Sequence, residues 1–247
     1  PRQPTEVPLK KYPEILFDES KFDRNDTTNT FIQAGYTVTS SSEHATGNYS
    51  AFKAFDGLAN SSAPNGWITI GTSSAGPYNS TGYVGSPVRN LGTESGGTAT
   101  VNGEYLILKM PHKVKIDYAS MIHRAASTER APTDGYFYGS NNGTDWEELT
   151  QFTGLNPTGE IYNIIQINST NAYNHIAIVP TRVGFAVSGG TWLAIGELEY
   201  YGREESPPAG DLSLDTTLKS RYNLPETGDY AMYFDGKYFV PGDGGTS

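Results

Sequence analysis

Short apolar runs broken by Gly, Asn, Ser and Pro recur roughly every ten residues along most of the chain, a rhythm that predicts an antiparallel β-sandwich. Residues 36–42 (YTVTSSS) alternate and are β-branched, so they predict a first strand ending in a serine cluster. Residues 104–110 (EYLILKM) predict a buried strand stopped by Pro111, and the alternating run 114–122 predicts the next. Strand character resumes at 135–140, and Asn142-Gly143 lies between this run and Trp146, a strong hairpin signal. Further strands are predicted at 161–167, 175–179 and 192–201.

The flanks break this rhythm. Residues 1–30 carry Pro1, Pro4, Pro8 and Pro13 and a charged segment, which predicts an arm that packs through Ile15, Leu16, Phe17 and Phe22. The main domain spans 31–203. Within it, 69–103 is rich in Gly, Ser, Thr and Asn and predicts a long surface excursion of the kind that carries function. Residues 204–247 open as a linker and continue into an extension with one predicted hairpin, closed by Asp235-Gly236.

Composition narrows the function. A formal charge of −10 disfavours nucleic acid as a partner, because phosphates would be repelled. The chain has no cysteine, which excludes disulfides, thiolate metal sites and cysteine nucleophiles. It has no apolar run of about 18 residues, so membrane insertion is not expected. The 4 histidines (His44, His112, His123, His175) show no metal-binding spacing. Nucleophile elbows, phosphate loops and dinucleotide glycine patterns are missing too, and the expectation is a protein that is not an enzyme.

One stretch, 51–67 (AFKAFDGLANSSAPNGW), organises the rest. Asp56-Gly57 reads as a simple turn, Asp accepting backbone N–H groups and Gly supplying positive φ. It also reads as half of a cation site, since the loop is rich in carbonyls and hydroxyls and a second carboxylate, Glu197, stands far downstream before Leu198-Glu199-Tyr200.

Taken in order, Ala54-Phe55-Asp56-Gly57, Gly66-Trp67, Tyr105-Leu106-Ile107-Leu108, the segment from Gly139 to Trp146, and Gly196-Glu197-Leu198-Glu199-Tyr200 resemble the discoidin-like (coagulation factor five/eight C-type) domain. Its sugar-binding relatives form family 32 of the carbohydrate-binding modules. The resemblance covers residues 36–203 and implies an eight-stranded antiparallel jelly-roll β-sandwich. It also implies a structural Ca²⁺ held by the Lys53 carbonyl, the Asp56 carboxylate, the Leu58 carbonyl, Ser61, the Gly196 carbonyl and the Glu197 carboxylate. Two carboxylates with neutral oxygens suit Ca²⁺ and are wrong for zinc. The chain departs from the family in carrying Asn142 where an Asp is common, and in the length of 71–103.

In the sugar-binding relatives, ligands meet the loop tips near the metal loop. An aromatic face and forked donors are what a pyranose needs. The residues expected to bind ligand are His123, Arg124, Arg130, Arg182, Phe185 and Trp192, with Trp67 weaker because a Trp beside a hairpin usually buries. The reading is therefore a non-catalytic glycan-recognition module at a virion or extracellular surface, with cell-surface or virion glycans as partners. A looser resemblance to structural proteins of large DNA viruses and phage supplies the alternative: a minor capsid or assembly protein that uses the jelly roll and its arms as building blocks, contacts other virion subunits, and binds no glycan.

Overall fold

A computed structural model describes residues 7–22, 29–44, 49–58, 66–70, 76–124, 128–157, 162–184, 191–205, 231–234 and 239–242. Its strands are β1 (Lys10–Tyr12), β2 (Thr30–Gln33), β3 (Tyr36–Ser40), β4 (Trp67–Ile68), β5 (Tyr78–Asn79), β6 (Gly82–Tyr83), β7 (Leu106–Ile122), β8 (Pro132–Ser140), β9 (Glu147–Phe152), β10 (Tyr162–Gln166), β11 (Tyr173–Val183), β12 (Ala194–Ile195), β13 (Glu197–Glu204), β14 (Ala231–Phe234) and β15 (Phe239–Gly242). A short helix, α1 (Leu91–Ser95), lies between β6 and β7. The chain divides into two units, Pro1–Glu205 and Ser206–Ser247. The second holds the hairpin β14–β15, with Phe234 opposite Phe239.

The first unit is an antiparallel β-sandwich, and the long strand β7 belongs to both of its layers. The first half of β7 pairs with β3 (Val38↔Leu108) and with β11 (Ile176↔Leu108), and β2, β8 and β9 extend that layer outward. Its second half pairs with β13 (Tyr200↔Ala119) and β10 (Ile165↔Ala119), and β1 adds to the far side of β13. Pro111 does not end a strand, as the sequence suggests. It sits with exposed His112 and Lys113 at the corner where β7 leaves one layer for the other, so its missing N–H costs no ladder bond.

Inward positions of both layers meet in one core. Val38, Leu106, Leu108, Phe137, Ile176 and Ile178 face Ala119, Met121, Leu198 and Tyr200, and the Phe137 ring meets Tyr200 edge-on at 6.1 Å between centroids. Residues 137–140 and 176–180 are buried without alternation, because the outer face of the first layer is covered as well. The cover comes from the 76–103 excursion: Leu91 and Ala99 pack on Tyr138, Trp146, Ala177 and Val179. This excursion is thus partly core. Tyr78 is fully buried, its hydroxyl donating to the Pro180 carbonyl at 2.9 Å.

The amino-terminal segment is likewise built in. Tyr12 is fully buried, and Lys11 lies opposite Tyr201 in the β1–β13 ladder. Phe17 is buried with Phe22 stacked beside it, whereas Leu16 remains exposed. Between β8 and β9 the expected hairpin is present, and Asn142 Oδ1 accepts the backbone N–H groups of Thr144 and Asp145 while Gly143 takes φ 78°.

Candidate functional site

Two neighbouring constructions stand at one end of the sandwich, and β4 organises both. On one side β4 pairs with β12, Trp67 opposite Ile195 and Ile68 opposite Ala194. On the other, the Ile68 carbonyl accepts the His44 N–H at 2.9 Å and the Ile68 N–H donates to the Tyr49 carbonyl at 3.2 Å. A two-residue strand thereby fixes His44, Tyr49 and the approach to Trp192 together. The approach is close at Gly66 (φ 79°), where a Cβ would lie 2.3 Å from the Ile195 carbonyl oxygen.

The serine cluster supports this arrangement from below. Buried Glu104 accepts hydrogen bonds from the hydroxyls of Ser41 and Ser42, and the Ser42 carbonyl accepts the Trp67 indole N–H at 2.9 Å. Burial raises the Glu104 pKa, and the serine hydroxyls oppose that shift. Trp67 is fully buried. It is a core residue and cannot touch a ligand.

The first construction is the carboxylate pair. Asp56 closes the 3₁₀ turn Ala51–Phe55, and its Oδ1 accepts the Leu58 N–H at 3.0 Å. Glu197 opens β13, and its Oε2 accepts the Gly57 N–H at 3.0 Å, so the last strand is tied to the Asp-Gly turn. Both side chains are enclosed, with Asp56 8% and Glu197 4% exposed. Burial, helped for Glu197 by the charge of Asp56, pushes Asp56 up to about 6 and Glu197 up to about 9. The Lys53 ammonium is turned to Glu19 at 3.0 Å. Gly196 holds its place by donating to the Ile122 carbonyl at 3.0 Å. Ser61 lies outside the described residues.

A repelling, buried pair of carboxylates bordered by a turn suits a hard divalent cation, which would remove the repulsion and take backbone carbonyls as further ligands. Among the described residues no group of three or more His, Cys, Asp or Glu side chains gathers to hold a metal, so any cation here would depend on this pair and on neutral oxygens.

The second construction is a surface cluster of cations and rings. The Arg130 guanidinium lies over the Trp192 ring at 4.5 Å, and the His44 ring meets Trp192 edge-on with centroids 5.4 Å apart. The same His44 ring meets Tyr49 edge-on at 5.4 Å, and the Arg124 guanidinium covers Tyr49 at 5.4 Å. Burial first, and then the charge of Arg130, lower the His44 pKa, which favours the neutral ring. The Trp192 Nε1 and Arg130 Nε atoms are both buried without a hydrogen-bond partner. Glu129 Oε1 comes within 3.3 Å of Arg130 Nε as an ion pair, but out of hydrogen-bond alignment.

The predicted ligand residues are only partly gathered here. Arg124, Arg130 and Trp192 come together. His123 does not join them. It is fully buried, with Nε2 2.6 Å from the Asn156 carbonyl and Nδ1 unpartnered, and burial lowers its pKa. It follows the end of β7 and is turned into the interior. Arg182 lies on the outer face of β11 opposite Asp134, lining a separate open groove of about 370 Å³ with Thr81, Tyr83, Asn102 and Gln151. Phe185 falls outside the described residues. His44 and Tyr49 were not legible as site residues, their only signal being two rings that flank a short polar run after the serine cluster.

The molecule so defined is a β-sandwich with a loop-borne site at one end. No protein-family model and no curated protein match the chain. Solved structures similar to it include the family 32 carbohydrate-binding module of Clostridium perfringens NanJ in complex with galactose (17% identity, 70% of this chain and 97% of that chain, TM-score 0.45). A second Clostridium perfringens family 32 module, in complex with GalNAc-β-1,3-galactose, is 19% identical over 69% of this chain and 98% of that chain, TM-score 0.47. An F5/8 type C domain from Bacteroides fragilis is 14% identical over 71% of this chain and 97% of that chain, TM-score 0.46. At such identities the likeness gives no residue of this chain a role.

Proposed function

We propose that this protein is a non-catalytic glycan-binding module displayed at an extracellular or virion surface. The observation that carries the reading is the Arg124–Tyr49–His44–Trp192–Arg130 cluster, in which two guanidiniums lie against the rings of half-buried aromatic side chains. Rings that pack against sugar C–H faces and forked donors that fix hydroxyls are the elements of sugar recognition. The carboxylate pair is enclosed beneath the surface and fits a structural role.

Ca²⁺ would be held by the carboxylates of Asp56 and Glu197, with carbonyls of Lys53, Leu58 and Gly196 and with Ser61 as the remaining donors. It would supply charge neutralisation there and no chemistry on the ligand. Pinning the Asp-Gly turn to β13 in this way stabilises the β4–β12 pairing that positions Trp192.

The test is a glycan array probed with the full chain, with calcium and with chelator. Wild-type protein is expected to give a defined set of hits. Trp192→Ala is expected to lower affinity tenfold or more, since its ring is lost from the cluster, at a melting temperature within about 2 °C of wild type. Arg182→Ala is expected to bind as wild type. A folded chain that ignores every glycan sinks the reading. The second reading is the assembly role, with the second unit and its β14–β15 hairpin as a building block. In that case deletion of Ser206–Ser247 would abolish incorporation into a particle.

A further inference from the structure

The 76–103 excursion contributes no residue to the ring cluster. It builds one wall of the open groove of about 370 Å³ at Arg182. Tyr83 and Asn102 stand in that wall, and Thr181 and Arg182 of β11, Asp134 of β8 and Gln151 of β9 form the floor. The wall is held in place. The Tyr83 hydroxyl accepts the Arg89 N–H at 2.9 Å, and Asn102 Oδ1 accepts from Asn90 Nδ2 at 2.9 Å. Gly82 comes so close to β11 that a Cβ on it would lie 3.0 Å from the Thr181 carbonyl oxygen. A groove fixed in this way spares a ligand part of the ordering cost of binding.

Arg182 is the unusual member of the floor. Among the described arginines, Arg89, Arg130 and Arg203 pair with Glu94, Glu129 and Asp117, and Arg124 lies over Tyr49. The exposed Arg182 guanidinium has no hydrogen bond, ion pair or ring contact, although Asp134 stands opposite it in the β8–β11 ladder. Asp134 is engaged elsewhere: Oδ2 accepts the Thr133 hydroxyl at 2.8 Å and Oδ1 accepts the Gly154 N–H at 3.4 Å. The side chains of Gln151 and Thr181 are unengaged as well. In a chain with 27 acidic and 17 basic residues, an arginine left unpaired in a groove is open to a carboxylate from another molecule.

A guanidinium is a planar fork that meets a carboxylate through two parallel N–H bonds. The amides of Gln151 and Asn102 carry both donors and an acceptor, and so match a peptide main chain. Ring faces, which a sugar would use, are scarce, since the one ring that lines the groove, Tyr83, packs edge-on to Tyr78. Strands β11, β8 and β9 are neighbours, so Arg182, Asp134 and Gln151 span roughly 10 Å across the sheet, the reach of about three extended residues. We infer that this groove holds an extended peptide segment of a partner protein, whose Asp or Glu side chain pairs with Arg182 while Gln151 and Asn102 bond its main chain. The inference does not rest on the glycan-binding reading, which places its ligand at Trp192.

The test titrates the full chain with the capped peptide Ac-Gly-Glu-Gly-NH2 and its neutral match Ac-Gly-Gln-Gly-NH2, reading the side-chain amide NMR signals of Gln151 and Asn102. The Glu peptide is expected to shift both signals, to bind tenfold or more tighter than the Gln peptide, and to lose most of that advantage at high salt. Arg182→Gln is expected to abolish the advantage while melting within about 2 °C of wild type and keeping its glycan hits, whereas Arg182→Lys keeps part of the advantage. Equal binding of the two peptides, binding of neither, or an advantage that survives Arg182→Gln would overturn the inference. Loss of the glycan hits in Arg182→Gln would overturn it too, because the groove would then belong to the glycan site. A chain that ignores every glycan but separates the two peptides supports this inference and sinks only the glycan reading.

Discussion

Glu197 shows how much one side chain can be asked to do. Its carboxylate is buried beside that of Asp56 and receives a single backbone N–H, from Gly57. Both folded pKa values lie above the ordinary carboxylate range, at about 9 and about 6, whereas the unfolded chain titrates near 4. Between those limits the folded protein binds more protons than the unfolded one, so without a cation stability falls as pH rises from about 4 to about 9. Melting curves in chelator across that window are expected to show the decline, and calcium is expected to reverse it at the alkaline end. Glu197→Gln removes the repulsion and can keep the Gly57 bond. It should melt several degrees above wild type in chelator at pH 8, below wild type in calcium, and show no calcium response. A variant that tracks wild type in both media would dismiss the cation site.

At this scale the sequence was legible where chemistry is rare and silent where geometry decides. Asp56 and Glu197 stood out as two distant carboxylates, and the Gly57 bond ties the Asp56 turn to β13. His123 is buried and meets the Asn156 carbonyl, a contact between residues far apart in the chain that the sequence does not display. His44 and Tyr49 were missed because only the backbone of Ile68 brings them to Trp192.

Among the elements, β4 has the greatest influence for its length. Two residues connect the serine-cluster segment to β12, and the contact depends on the absence of a side chain at Gly66. Gly66→Ala combines a positive φ with a Cβ 2.3 Å from a carbonyl oxygen, and is expected to cost about 2–4 kcal/mol. That corresponds to a fall in Tm of roughly 5–15 °C by calorimetry, accompanied by loss of glycan affinity. Gly66→Ala melting as wild type does would mean that β4 and β12 separate without consequence.

Element reading from sequence worked for the hairpin at Asn142-Gly143 and for β10, where turn chemistry and alternation are local. It failed at Pro111, because a strand that turns a corner and a strand that stops present the same residues. It failed at α1 as well. Asn90 caps that helix by accepting the Thr93 N–H, and Gly96 ends it at φ 73°, but five residues between them carry too little periodicity to stand out.

At the scale of the whole molecule, the first unit has a core of its own. Phe17, Tyr12, Phe137 and Tyr200 share one core within it. A chain ending at Glu205 is therefore expected to melt within about 2 °C of the full chain and to keep its glycan affinity. A large fall in Tm on this truncation would show that Ser206–Ser247 completes the fold. In the amino-terminal segment β1 is hydrogen-bonded into the β13 edge, so residues 10–12 belong to the sandwich as a strand.

The corner in β7 has a consequence for how the protein comes apart. In many sandwiches the two layers are linked only by side chains and connecting loops, and one layer can loosen while the other persists. Here a single stretch of backbone supplies the middle strand of both, so neither layer can shed its partners without freeing ladder bonds in the other. The amides of Leu108 and Ala119 should thus exchange with solvent deuterium together, through one global opening, as members of the same foldon.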